Sequence, residues 1–181
     1  SRRAYPLVVT QGDGNLGVKG KNFEMLFSIA GAGPASLKVN GTEWLWRAPR
    51  PAFWRASTDN DRGCGFPLRA AAWMAADVFV TYNGMKVLEA GPDCVKVQFQ
   101  FGIPTVPGAS AELVYTVEAQ DALRVDAVYH GVAGAPELPC FGVKFETFGP
   151  VTRTVWTGLS GETYPDRYKG GVFGCHEETP H

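Results

Sequence analysis

The chain has 181 residues, 45% of them hydrophobic and 19% charged, enough for one domain with a sizeable buried core. Lys and Arg total 17 against 18 Asp and Glu, a net charge of −1, which argues against nucleic acid or an anionic membrane surface as partner. No apolar run approaches a membrane span, and Ser1–Pro6 has a positive start with no apolar stretch behind it, so no signal peptide is read there.

The 22 glycines and 13 prolines punctuate short runs rich in Val, Phe, Tyr and Thr, the rhythm of an all-β protein. In chain order, Tyr5–Thr10 is extended and apolar, and Phe23–Ile29 alternates as a half-buried strand does. Leu37–Val39 and Glu43–Trp46 flank Asn40-Gly41, which supplies the two positive φ angles of a two-residue hairpin turn. Leu68–Ala76 is Ala-rich, lacks Gly, Pro and β-branched residues, and predicts one short helix with Trp73 packed on a sheet. Val78–Tyr82 and Met85–Glu89 predict a second hairpin across Asn83-Gly84. Val95–Phe101 alternates strictly, with Val95, Val97, Phe99 and Phe101 on one face. Ala111–Ala119 and Leu123–Tyr129 predict neighbours joined across Gln120-Asp121; Phe141–Phe148 and Arg153–Gly158 follow. The expectation is an antiparallel β-sandwich, a single domain over residues 1–181.

Cys64, Cys94, Cys140 and Cys175 form no CxxC pair, so a zinc cluster is not expected; reduced thiols in a cytoplasmic protein fit better, with the periplasm as alternative. His130, His176 and His181 give no metal spacing, and only His130 lies on a convincing strand, which leaves little for an epimerase-type acid–base pair. No Gly-rich phosphate loop or nucleophile elbow occurs.

Two polar clusters remain. The first is Trp54 and Arg55 through Thr58, Asp59, Asn60, Asp61, Arg62 and Gly63. It reads either as a sugar-facing site, with Trp54 stacking on a pyranose and Arg55, Asp59 or Asn60 bonding hydroxyls, or as a structural loop. In the second case Asp59 and Asp61 accept backbone N–H bonds and an arginine pairs with a carboxylate. A calcium loop is a third reading, but the D-x-D-x-D-G spacing and distal Glu are missing. The second cluster, Trp156–Arg167, holds Glu162, Tyr164, Asp166 and Arg167; Asp166-Arg167 reads as an internal ion pair. A glycosidase dyad assembled from these carboxylates stays open, although nothing resembles the barrel strand ends on which such dyads usually sit.

At these clusters the sequence resembles a known family. Arg50–Gly63 is similar to the "RPxFWRAPTDNDxG" signature of the small-chain domain of β-galactosidases of glycoside hydrolase family two. Trp156–Arg167 resembles its second signature, "WxGxGPxENYPDR", and Leu138–Val143 its "LPRxG" segment. Ser57 stands where the family has Pro, Cys140 where it has Arg, and Thr163 where it has Asn; the second signature is also one residue shorter here.

The resemblance implies an antiparallel supersandwich of galactose mutarotase-like fold, incomplete at its C-terminal end in this chain. It implies that the catalytic glutamates lie in a separate (β/α)₈ barrel. This domain then has no catalytic residue, metal or cofactor of its own, and Mg or Na serves the barrel of the whole enzyme. Gly63, Cys64, Gly65, Phe66 and Pro67 would rim the galactoside pocket. Trp54, Arg55, Asp59, Asn60 and Asp61, with Glu162, Tyr164, Asp166 and Arg167, would bind carbohydrate or brace the loops. The expected partners are the barrel and other parts of a β-galactosidase, its galactoside substrate, and a second copy of this chain through open sheet edges. A free-standing carbohydrate-binding module and a purely structural assembly domain are the alternatives.

Overall fold

The computed structural model describes residues 5–160 and 171–179. The backbone groups into two compact units, 1–146 and 147–181.

In the first unit, five strands form an antiparallel sheet in chain order: β1 (Val8–Gln11), β2 (Asn15–Lys19), β3 (Phe23–Ser28), β4 (Gly33–Val39) and β5 (Thr42–Glu43). Asn40 (φ 49°) and Gly41 (φ 80°) close the β4–β5 hairpin. A second antiparallel sheet runs β10 (Ala122–His130), β9 (Ser110–Glu118), β8 (Cys94–Gly102), β7 (Thr81–Ala90). Asp121, at φ 60°, turns β9 into β10. The third piece is a ribbon of β6 (Leu45–Ala52) and β11 (Gly142–Thr147). Pro49 and Pro51 cannot donate to a ladder, and a two-stranded ribbon tolerates them because each strand keeps a free edge.

The two larger sheets bury their inward faces against each other. Leu16, Val18, Met25 and Phe27 come from the first, and Val95, Val97, Phe99, Leu113, Tyr115 and Val117 from the second. The period of two puts alternate residues on this face, and the register aligns them: Phe99 opposes Leu113 and Val97 opposes Tyr115. Phe27, Phe99 and Tyr115 meet with centroids 5.8–6.1 Å apart. The chain is thus an all-β sandwich of antiparallel sheets, as its alternation predicts.

Where the chain leaves β5 for β6, Glu43 takes over the role of a backbone acceptor. Its Oε1 accepts from the N–H groups of Leu37 (2.9 Å), Trp44 (3.1 Å) and Leu45 (3.1 Å), and Oε2 from the Ser36 hydroxyl. Burial opposes the charge, but these bonds prevail and hold the carboxyl below its ordinary pKa.

Three short helices join β6 to β7: α1 (Asp59–Gly63), α2 (Phe66–Arg69) and α3 (Ala71–Phe79). The single helix predicted at Leu68–Ala76 is therefore corrected to three. Gly65, at φ 69°, separates α1 from α2, and Pro67 stands in the first turn of α2, where its missing N–H costs nothing. The hairpin predicted at Asn83-Gly84 is also corrected. Val78 and Phe79 belong to α3, and β7 runs through Asn83-Gly84 with a bulge, because β8 offers it a partner along its length. Strands β2 and β13 are additions to the predicted set.

Among the described residues, the second unit contains one antiparallel pair, β12 (Thr154–Ser160) with β13 (Val172–Glu178). Trp156 stacks on His176, with centroids 5.7 Å apart. His176 Nε2 lies 3.2 Å from the Gly158 carbonyl and 3.1 Å from that of Val172, so this nitrogen carries the proton.

Two substitutions test the sandwich core. Phe27→Ala removes a ring shared by both sheets and is expected to cost about 3–5 kcal/mol in urea denaturation. Tyr115 has a buried hydroxyl with no hydrogen-bond partner among the described residues, and burial pushes its pKa up. Tyr115→Phe should leave stability unchanged or raise it by about 1 kcal/mol; a loss of that size would reveal a partner for the hydroxyl.

Candidate functional site

The Trp54–Pro67 segment begins where β6 ends at a fully buried ring. Phe53 packs against Trp73 (5.7 Å), Phe141 (5.8 Å) and Tyr129 (6.4 Å), and its N–H donates to Asp77 Oδ1 at 2.5 Å. Trp73 is itself buried and donates from Nε1 to the Pro136 carbonyl at 3.0 Å. Rings from β10, α3 and the residue just before β11 therefore fix the point from which the segment departs.

Beyond that point an ion pair organises the chain. Arg55 grips Asp61 with two nitrogens, Nη1 to Oδ2 at 2.5 Å and Nη2 to Oδ1 at 3.3 Å. Its Nε donates to the Pro139 carbonyl at 3.2 Å and Nη1 to Ala56 at 3.1 Å, and the guanidinium lies 6.0 Å from the Phe66 ring centroid. Asp61 also caps α1. Its carboxylate accepts from Thr58 N–H at 2.8 Å, while Thr58 Oγ1 accepts from Asp61 N–H at 3.2 Å. This reciprocal pair is a capping box with Asp at the third helical position. The stretch expected as an irregular loop is thus partly a short helix.

Charge follows geometry. The Arg55 guanidinium, and then the Thr58 N–H, hold the Asp61 carboxyl far below the usual carboxylate range, and Asp61 raises Arg55 in return. A carboxylate bound this way stays ionised at any ordinary pH and cannot serve as a proton donor. Burial, and next the Asp77 charge, push the Cys140 thiol up, against the pull of Arg55. Among the described residues no three His, Cys, Asp or Glu side chains gather as a metal site.

Around this braced centre the other named residues of the segment differ in exposure. Asp59 is fully exposed and touches Arg62 at 3.4 Å, a pair worth little in water. Asn60, Gly63 and Cys64 are exposed, Gly65 and Pro67 half-buried, and Phe66 is buried. Cys64 Sγ contacts the Asp61 carbonyl at 3.5 Å, and Arg69 bonds the Cys64 carbonyl. Trp54 is half-buried and packs on the core. Glu162, Tyr164, Asp166 and Arg167 lie outside the described residues.

A family profile described as "Beta galactosidase small chain" matches residues 19–181, a span that includes this segment and both signatures. The chain belongs to the β-galactosidase small chain family. It is 43% identical over 96% of its length to a "Beta-galactosidase small subunit" of Latilactobacillus sakei, covering 60% of that protein. It is 35% identical to a "Beta-galactosidase" of Clostridium acetobutylicum over 94% of its length, and 34% identical to one of Streptococcus thermophilus over 95%. It spans 19% and 17% of those two proteins.

Two contributors to this small-chain segment escaped the sequence reading. Asp77 lies one residue beyond the helix predicted at Leu68–Ala76 and was given no role; being the only ionisable residue of α3 was its sole signal. Pro136 and Pro139 act through main-chain carbonyls, which carry no side-chain signature.

The ion pair gives a signed pH prediction. Because the folded-state pKa of Asp61 lies below its unfolded value of about 3.9, its contribution is complete above that pH and fades as pH falls below it. Asp61→Asn should lower the urea midpoint at pH 7 and flatten its decline between about pH 4 and pH 2. Equal slopes for both proteins would show that the pair does not couple to folding.

Proposed function

We propose that this chain is the accessory, non-catalytic part of a β-galactosidase of glycoside hydrolase family two. In this reading it packs beside the catalytic barrel and presents Gly63–Pro67 at the rim of the galactoside pocket. The observation that carries the reading is the asymmetry of the Trp54–Pro67 segment. Its inner side is fixed by Phe53, Arg55, Asp61 and Pro139, while Asp59, Asn60, Gly63 and Cys64 are exposed. Such a segment is built to hold an outward surface still for a neighbour. The carboxylate at its centre is committed to Arg55, which leaves proton transfer to groups elsewhere. The names of the relatives, two of them far longer than this chain, agree with a part working inside a larger β-galactosidase.

The test is a chimera. The C. acetobutylicum β-galactosidase, with its matched stretch replaced by this chain, is expected to hydrolyse a chromogenic β-galactoside, and the isolated chain is not. An inactive, folded chimera counts against the reading. Hydrolysis by the isolated chain that one Asp→Asn or Glu→Gln change abolishes would overturn it. Lactose binding by the isolated chain, seen in calorimetry and lost in Trp54→Ala, would replace it with a free-standing carbohydrate module.

A further inference from the structure

Helix α3 is apolar on every side. Its sequence, AAWMAADVF, carries one polar residue, Asp77, and that residue is tied to the Phe53 N–H. A helix apolar all round is normally buried all round. Here only one side is covered: Trp73 and Ala76 are fully buried, whereas Met74 is 53% exposed, Val78 70% and the adjacent Phe79 61%. Met74 and Val78 stand four apart, with Ala71 and Ala75 on the same side, so they form one stripe. Leu68 on α2, just before it, is 86% exposed.

The stripe continues into a cleft. Val78 also lines a cavity of about 220 Å³ whose charged walls are Arg47, Arg50, Asp77, Lys144 and Glu146. Arg47 reaches Glu146 at 3.5 Å, and Arg50 and Lys144 have no ion-pair partner among the described residues. An apolar centre beside unspent cations is the anatomy of a protein interface.

We propose that the open face of α3, together with the Arg50–Lys144 cleft, seats the β-galactosidase polypeptide that lies outside the matched stretch. That partner surface is apolar opposite Met74 and Val78 and acidic opposite Arg50 and Lys144. The occupant follows from the relatives: the matched stretch makes up 19% of one single polypeptide and 17% of another, so four fifths of each chain is joined to it covalently. The inference rests on the accessory-part reading and deepens it. The Gly63–Pro67 segment runs into helix α2, which Ala70 alone separates from α3, so docking through α3 would set the position of that rim.

The experiment places single cysteines in the isolated chain and in the full-length chimera, and follows maleimide labelling site by site by mass spectrometry. Val78→Cys and Met74→Cys should label readily in the isolated chain and at least about tenfold more slowly in the chimera, as expected for the dry centre of an interface. Leu88→Cys, on β7, is the control and should label equally in both. In the chimera, Arg50→Glu with Lys144→Glu should lower the thermal midpoint of activity, and raised salt should narrow the difference. An active chimera in which Val78→Cys labels as fast as in the isolated chain overturns this inference and leaves the accessory reading standing. An inactive, folded chimera overturns both. Shielding of Val78→Cys in the isolated chain that disappears on dilution would assign the face to a second copy and overturn the proposal.

Discussion

Four rings meeting at Phe53 are the constraint on which the rest of the candidate site depends. Phe53 directly follows β6, Trp73 comes from α3, Tyr129 from β10, and Phe141 stands at the entry to β11. Each pair buries area, and the rings meet tilted (Trp73), edge-on (Tyr129) and stacked (Phe141) on Phe53. Because the four come from distant parts of the chain, the cluster ties the ribbon and the helices to the second sheet at one point. The ion pair of Arg55 and Asp61 starts two residues beyond that point and inherits its rigidity.

Polar bonds then refine what the rings have placed. The backbone carbonyls of Pro136 and Pro139 receive Trp73 and Arg55, so a stretch with almost no regular structure is held by two side chains from elsewhere. A bidentate arginine suits this role because its planar fork satisfies a carboxylate and still has a nitrogen left for a carbonyl. Departures from the family signature are tolerable on this geometry. Cys140 stands where the resemblance led one to expect an arginine, and in its place a half-buried thiol lies close enough to Arg55 and Asp77 to feel both charges.

The sheets were largely legible in the sequence, because alternation over nine residues such as Cys94–Gly102 has one good solution when one face must be buried. Turn dipeptides were legible only where nothing competed. Asn40-Gly41 turns because β5 is there to fold back, whereas Asn83-Gly84 stays extended because β8 pairs with residues on both sides of it. Helix α1 was missed because five residues, two of them Asp and one Gly, carry little propensity; the helix is made by its cap and by Arg55, a tertiary partner. Residues that contribute through the main chain, or that accept from it as Asp77 does, leave no pattern to read.

Glu43 shows how a corner can be encoded in one side chain. Its carboxylate gathers three amides and a hydroxyl at the point where β5 gives way to β6, so no donor there is left waiting for water. That arrangement depends on the count of residues between Thr42 and Leu45 as much as on their identity. A one-residue insertion or deletion there would separate the acceptor from some of its donors. Length variation among homologous chains should therefore collect in other connections and spare this junction, whatever substitutions accumulate on the strands that flank it.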